Sequence, residues 1–195
     1  MSISADASRV SPGHLPGDLA MWFFILAELS VFALLILAFA VTQAIKPQLF
    51  ADSRALLDTS TGLAMTLSLL TAGLFAALAQ EQVRHSQPRR GALLLLAALL
   101  AASVYVVLKL TEYRHLLANG LGMEHNTFFT LYWILTGFHF VHVLLGMFIL
   151  AWLALRCRRG LYSADNRGGF ESGVLYWHMV DLIWVVLFPL VYVLN

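Results

Sequence analysis

Charge is what this sequence has least of. Asp, Glu, Lys and Arg make up only 12% of its 195 residues, against a hydrophobic share of 60% and a mean hydropathy of +0.79. A water-soluble domain carries about a quarter charged residues. So few charges cannot clothe a water-facing surface, and lipid must be the solvent for most of the chain. Cysteine is scarcer still. The single Cys157 excludes an internal disulfide and any cysteine-based metal cluster, and beside basic residues it reads as a small apolar bystander. The net charge of +1 argues against a nucleic-acid partner. The chain shows no internal repeat, low-complexity tract or soluble domain. Residues 1–18 are polar, contain Pro12 and Pro16, and lack the basic start and short apolar core of a secretory signal. They read as an N-terminal arm, disordered or interfacial, ahead of a membrane domain over residues 19–195.

What is present is long apolar runs. A helix that crosses a bilayer needs about 20 apolar residues, and five segments qualify: Leu19–Ala44, the stretch between Asp58 and Glu81, Gly91–Leu108 running into Lys109 and Glu112, Asn126–Leu155 and Ser172–Leu194. The fold class is therefore an all-α, polytopic bundle of five transmembrane helices. Basic residues set its orientation. Arg9, Arg84, Arg89, Arg90, Arg156, Arg158, Arg159 and Arg167 fall on one side, and Lys46, Arg54, Lys109 and Arg114 on the other. That asymmetry places the N-terminus in the cytoplasm and the C-terminus in the periplasm. On the second span Ala64, Ser68, Ala72 and Ala76 recur every four residues. Such a stripe admits close approach of another helix, from a partner or from within the bundle.

Ionisable groups at bilayer depth are costly unless paired or hydrated, so each needs a reason. Glu28, His139, His142, His178 and Asp181 fall inside the apolar runs. With a rise of about 1.5 Å per residue, Glu28 lies roughly 6 Å from its helix centre, the two helix-four histidines within about 3 Å, and His178 and Asp181 about 8 and 4 Å away. Three helices thus bring polar groups to similar depth, where they face one another rather than lipid. His139 and His142 are three apart and share a helix face, as do His178 and Asp181. An Asp below a His can accept its ring N–H. A carboxylate–imidazole cluster of this kind can hold or pass protons or bind a lipid headgroup; equally, it can be a hydrogen-bonded core that fixes helix register. The groups lack a compact metal-ligand motif and the facing axial pair of a b-type haem. Lys109 and Glu112 read as an interfacial ion pair with a snorkelling Lys. Trp22, Tyr105, Tyr113, Tyr132, Trp133, Tyr162 and Tyr192 suit interfacial belts. Trp177 and Trp184 flank Asp181, where an indole N–H could donate to the carboxylate.

The fourth span reads Thr-Gly-Phe-His-Phe-Val-His-Val-Leu-Leu-Gly over 136–146, and the fifth Tyr-Trp-His-Met-Val-Asp-Leu-Ile-Trp over 176–184. With Glu28 in Ala-Glu-Leu-Ser-Val-Phe, Leu-Thr-Glu-Tyr over 110–113, and Phe170-Glu171, these motifs resemble subunit III of the haem–copper oxidase (cytochrome c oxidase) superfamily, in order and over nearly the whole chain after residue 18. The largest members have seven helices, and this chain resembles their last five. Its entry, Pro-Gly-Asp-Leu-Ala-Met-Trp-Phe (16–23), and its ending (180–192) are most similar to five-helix members associated with nitric oxide reductase; quinol oxidase subunit III is the other five-helix group. The resemblance implies a non-catalytic accessory subunit of the bacterial inner membrane. Haem and metal would lie on a catalytic partner, of an oxidase or a nitric oxide reductase, with none on this chain, which would bind phospholipid and support proton uptake. Glu28 and His142 match positions linked to the family's lipid cleft and its protons; His139, His178, Asp181 and Glu112 match motif positions without separable roles. An independent small proton or ion transporter and a membrane metalloenzyme are the competing readings. Inverted halves, which would favour a transporter, are missing.

Overall fold

A computed structural model describes residues 19–162 and 167–194; the N-terminal arm expected over 1–18 lies outside them. The elements are α1 (Leu19–Ile45), α2 (Pro47–Arg54), α3 (Thr59–Arg84), α4 (Pro88–Ala118), α5 (Thr127–Arg158) and α6 (Gly168–Phe188), which runs into a π-helical turn, Pro189–Val193. Five helices are long and apolar enough to cross a membrane, and no strand occurs among the described residues. In lipid every backbone N–H and C=O must be satisfied within its own segment, which is why the apolar runs are helices from end to end.

Local sequence sets the ends. Asp58 caps α3 by accepting from the Ser60 N–H (3.0 Å), and Asn126 caps α5 by accepting from Phe129 (3.0 Å). Asp58 also accepts from the Ser60 and Thr61 hydroxyls, and these bonds hold its carboxyl down at about 2. Pro47 and Pro88 start α2 and α4, where a missing N–H costs nothing. Gly120 (φ 72°) and Gly160 (φ 69°) end α4 and α5 in left-handed backbone. Each is followed by a residue whose N–H reaches back to the helix, Leu121 to Leu116 O (2.9 Å) and Leu161 to Arg156 O (3.1 Å), which is the Schellman closure.

The bundle is packed unevenly. α3 and α4 form the tightest pair, with Ala72, Ala76 and Ala79 buried on α3 and Ala92, Leu95, Ala98 and Ala102 on α4. The small-residue stripe is thus half inward: Ala72 and Ala76 are internal packing, while Ala64 is exposed. α6 is the most enclosed helix and α1 the least, with 56% and 17% of their most apolar stretches buried. At the C-terminus Pro189 interrupts the regular ladder. The last-turn carbonyls, which have no helical N–H beyond them, are met from α2: Arg54, 6% exposed, donates to Val191 O (3.0 Å), Leu190 O (3.1 Å) and the Gln43 side chain (3.3 Å).

Two expectations are corrected here. α4 runs on past Lys109 and Glu112 to Ala118, and Lys109 is covered by α5 and by the C-terminal turn, which bring Tyr132 and Tyr192 to it. And Tyr105, Tyr132, Tyr162 and Tyr192 do not sit in an interfacial belt; all are buried, at 0%, 0%, 5% and 3% exposure.

Candidate functional site

Intramembrane polar groups form distinct units. The first joins α1 to α5. His142 places Nδ1 2.8 Å from the Phe138 carbonyl one turn back and Nε2 3.0 Å from Glu28 Oε2. A carbonyl can only accept, so Nδ1 carries hydrogen and donates to it. A hydrogen bond between Nε2 and Oε2 then requires one proton on the line between them. That proton rests on the carboxyl, giving a neutral pair, or on the imidazole, giving an ion pair; the net charge is zero in both forms. Phe32 and Phe138 wall the ring, with centroids 5.2 and 4.5 Å away. The side chains of Glu28 and His142 remain 21% and 11% exposed, so the pair lies at the rim of the bundle. An apolar groove of about 170 Å³ between α1 and α6, lined by residues including Leu29, Phe32, Ile36 and Ile183, starts beside it.

The second unit is more deeply buried. Lys109 is wholly buried and donates to Glu112 (2.7 Å), Tyr132 Oη (3.0 Å) and Tyr192 Oη (3.0 Å). An ammonium has three donors, and all three are used. Both tyrosines in turn donate to Glu112, at 2.8 and 2.9 Å. The Lys109 ammonium also lies 4.8–5.6 Å from the ring centres of Tyr113, Tyr132, Trp184 and Tyr192. Lys109 therefore does not snorkel, as the sequence suggested. It is the hub of a network tying α4, α5 and the C-terminal turn. Spacing could suggest the Lys109–Glu112 pair, but Tyr132 and Tyr192 lie 23 and 83 residues away from the lysine.

The third unit is His178 with Asp181, Nδ1 to Oδ2 at 3.2 Å. His178 is 40% exposed and Asp181 10%. Asp181 lies against Gly73 of α3, where an added Cβ would collide with its carboxylate. That close approach requires glycine. The indole donation expected for Asp181 does not occur: Trp184 Nε1 donates instead to Thr66 (3.0 Å), and Trp177 Nε1 has no partner among the described residues. His139 stands apart from these pairs. It is fully buried, stacked on Trp184 with centroids 5.2 Å apart, and among the described residues neither ring nitrogen has a hydrogen-bond partner. So the polar groups do face one another as expected for Glu28 with His142 and His178 with Asp181, but His139 turns into the aromatic core rather than joining its neighbour. Among the described residues, no three His, Cys, Asp or Glu side chains converge as metal ligands would.

Comparison with known proteins gives a consistent result. The family model for cytochrome c oxidase subunit III matches residues 17–195. The chain is 29% identical to cytochrome c oxidase subunit 3 of Synechocystis sp., over 99% of its own length and 86% of the relative's. It is 26% identical to a chain named "Probable quinol oxidase subunit 3" of Staphylococcus saprophyticus, over 99% and 98% of the two chains. It is also 29% identical to part of a longer chain of Aeropyrum pernix named heme-copper oxidase subunit I+III, over 89% of its own length and 22% of that chain.

Proposed function

This chain belongs to the cytochrome c oxidase subunit III family, and from that membership we propose that it is a non-catalytic accessory subunit that supports proton uptake, lipid binding and durable turnover of a haem–copper oxidase superfamily complex. It packs on the catalytic subunit in the bacterial inner membrane, with its N-terminus cytoplasmic and its C-terminus periplasmic. Haem and metal reside on that partner. The Aeropyrum pernix chain supports the pairing, since its name joins subunits I and III in one polypeptide.

The observation that carries the proton role is the Glu28–His142 pair. It holds one proton, it can exchange that proton between carboxyl and imidazole without changing its net charge, and it lies at a rim reachable from lipid or from a partner. A group that is to pass protons onward needs this partial access. The apolar groove beside it suits a phospholipid acyl chain. On the same reading His178, 40% exposed with Asp181 behind it, is a second rim group, whereas Glu112 and His139 are enclosed and serve the core.

The entry and ending motifs favour association with nitric oxide reductase. The second reading, subunit III of a quinol oxidase, is favoured by the likeness to the Staphylococcus saprophyticus chain over the full length of both proteins. Purification of the full chain from its own membranes in mild detergent, with an optical spectrum of what accompanies it, tests the proposal. A haem-containing catalytic subunit should co-elute, and its haem type and substrate separate the two readings. A folded chain that elutes without haem protein from several mild detergents would overturn the accessory role.

A further inference from the structure

A groove of about 520 Å³ opens between the N-terminal turn of α4 and the C-terminal turn of α5, lined by Arg89, Ala92, Leu93, Leu96 and Arg158. It lies at the arginine-rich end, away from the Lys109 network and from the groove beside Glu28. Its composition is divided along its length. Arg89 and Arg158 are exposed, and neither has an ion-pair or hydrogen-bond partner among the described residues. Below Arg89, Leu93 and Leu96 follow at helical spacing and are 67% and 45% exposed, while Ala92, 1% exposed, forms the floor. Backbone donors add to the charge: Gln87 gives α4 no side-chain cap and Pro88 has no N–H, so the first-turn N–H groups of Arg89 and Arg90 are unpaired at the positive end of the helix dipole.

Two unpaired guanidinium groups above an apolar wall fit one class of ligand, an amphiphile with an anionic head and a hydrocarbon tail. We propose that an anionic phospholipid of the phosphatidylglycerol type binds in this groove, its phosphate between Arg89 and Arg158 and one acyl chain along Leu93 and Leu96. Guanidinium is the side chain best suited to the phosphate, since its planar fork can offer two parallel N–H donors. A zwitterionic headgroup would bring a quaternary cation to the same two arginines and lose the advantage. The proposal rests on the lipid-binding reading above and gives it a second location, with a stated headgroup.

The test is a native mass-spectrometry titration of the full-length chain with dioctanoyl-phosphatidylglycerol, dioctanoyl-phosphatidylcholine and glycerol 3-phosphate. Each arginine near a charged headgroup is worth about a fivefold factor, so R89Q/R158Q should weaken phosphatidylglycerol binding by about 25-fold. The variant R90Q/R159Q removes the same charge from residues that do not line the groove and should change binding less than about threefold. Four results would overturn the site. Equal retention by R89Q/R158Q would leave lipid binding intact and the location wrong. Equal losses in both double variants would reduce it to diffuse surface charge. Glycerol 3-phosphate competing as well as the lipid would make it a free-anion site. No retention by the native chain would remove this site together with the lipid-binding reading, while co-purification with a haem protein would be unaffected.

Discussion

Two acid–base pairs in this bundle have the same kind of chemistry and opposite surroundings. Lys109–Glu112 is enclosed, at 0% and 8% side-chain exposure, and every ammonium donor has a partner. Glu28–His142 is at the rim, at 21% and 11% exposure, and rests on one hydrogen bond across two helices. A buried ammonium whose three donors are all used has none left to offer, and disturbing the pair exposes an uncompensated charge. A rim pair with one shared proton loses little when altered but can trade with its surroundings. On the proposed function the difference separates a fastener from a proton site, and it can be broken from either side.

The largest effect should come from the enclosed network. Lys109→Met leaves the Glu112 carboxylate without its counter-charge, which costs about 3–5 kcal/mol for a buried pair. Thermal unfolding in detergent should show a chain that is barely stable, whereas K109M/E112L, with both charges removed, should recover much of the loss. If K109M unfolds like the native chain, the network is not a fastener. Tyr192→Phe removes one hydroxyl bound to both charged groups and should cost about 2 kcal/mol by the same measurement, loosening the C-terminal turn first. At the rim, Glu28→Gln should change stability by less than about 1 kcal/mol, since a neutral amide can still donate to Nε2. The smallest effect belongs to Asp58, an exposed cap held at about 2, below the ordinary 3.8 for Asp. A carboxyl lowered on folding contributes stability that is present above the unfolded value and is lost as pH falls through the folded one. An acid titration of stability should therefore show a small loss between about pH 4 and pH 2, absent in D58N.

The same comparison shows what the sequence could and could not tell. Apolar run lengths predicted the spans to within a few residues for α1, α3 and α5, because in lipid length and hydropathy fix a helix. They stopped short on α4, where Lys109, Glu112 and Tyr113 look like the end of a span and the helix runs on to Ala118. Lys109 is buried because Tyr132 and Tyr192 fold over it, and contacts of that sequence separation leave no mark on local pattern. α2 was missed for a related reason: it is short and polar, and its value lies in Arg54 reaching carbonyls 136 and 137 residues away. His178 and Asp181 were legible as a pair from their spacing alone. Glu28 and His142 were picked out singly, by depth and by family resemblance, but the carbonyl of Phe138 fixes the single proton of their pairing, and only coordinates supply that. Nothing in the sequence marked Gly73 as the neighbour that gives Asp181 its place.

On the proposed function, the Glu28–His142 pair holds one transferable proton for the complex this subunit joins. Its most direct test is sustained turnover of the purified complex carrying Glu28→Gln. The account predicts normal assembly and haem content, with turnover that decays sooner over repeated cycles and proton uptake that is slowed. Turnover, durability and proton uptake all unchanged in the fully assembled variant would contradict it, and would leave the pair as a hydrogen bond that packs α1 onto α5.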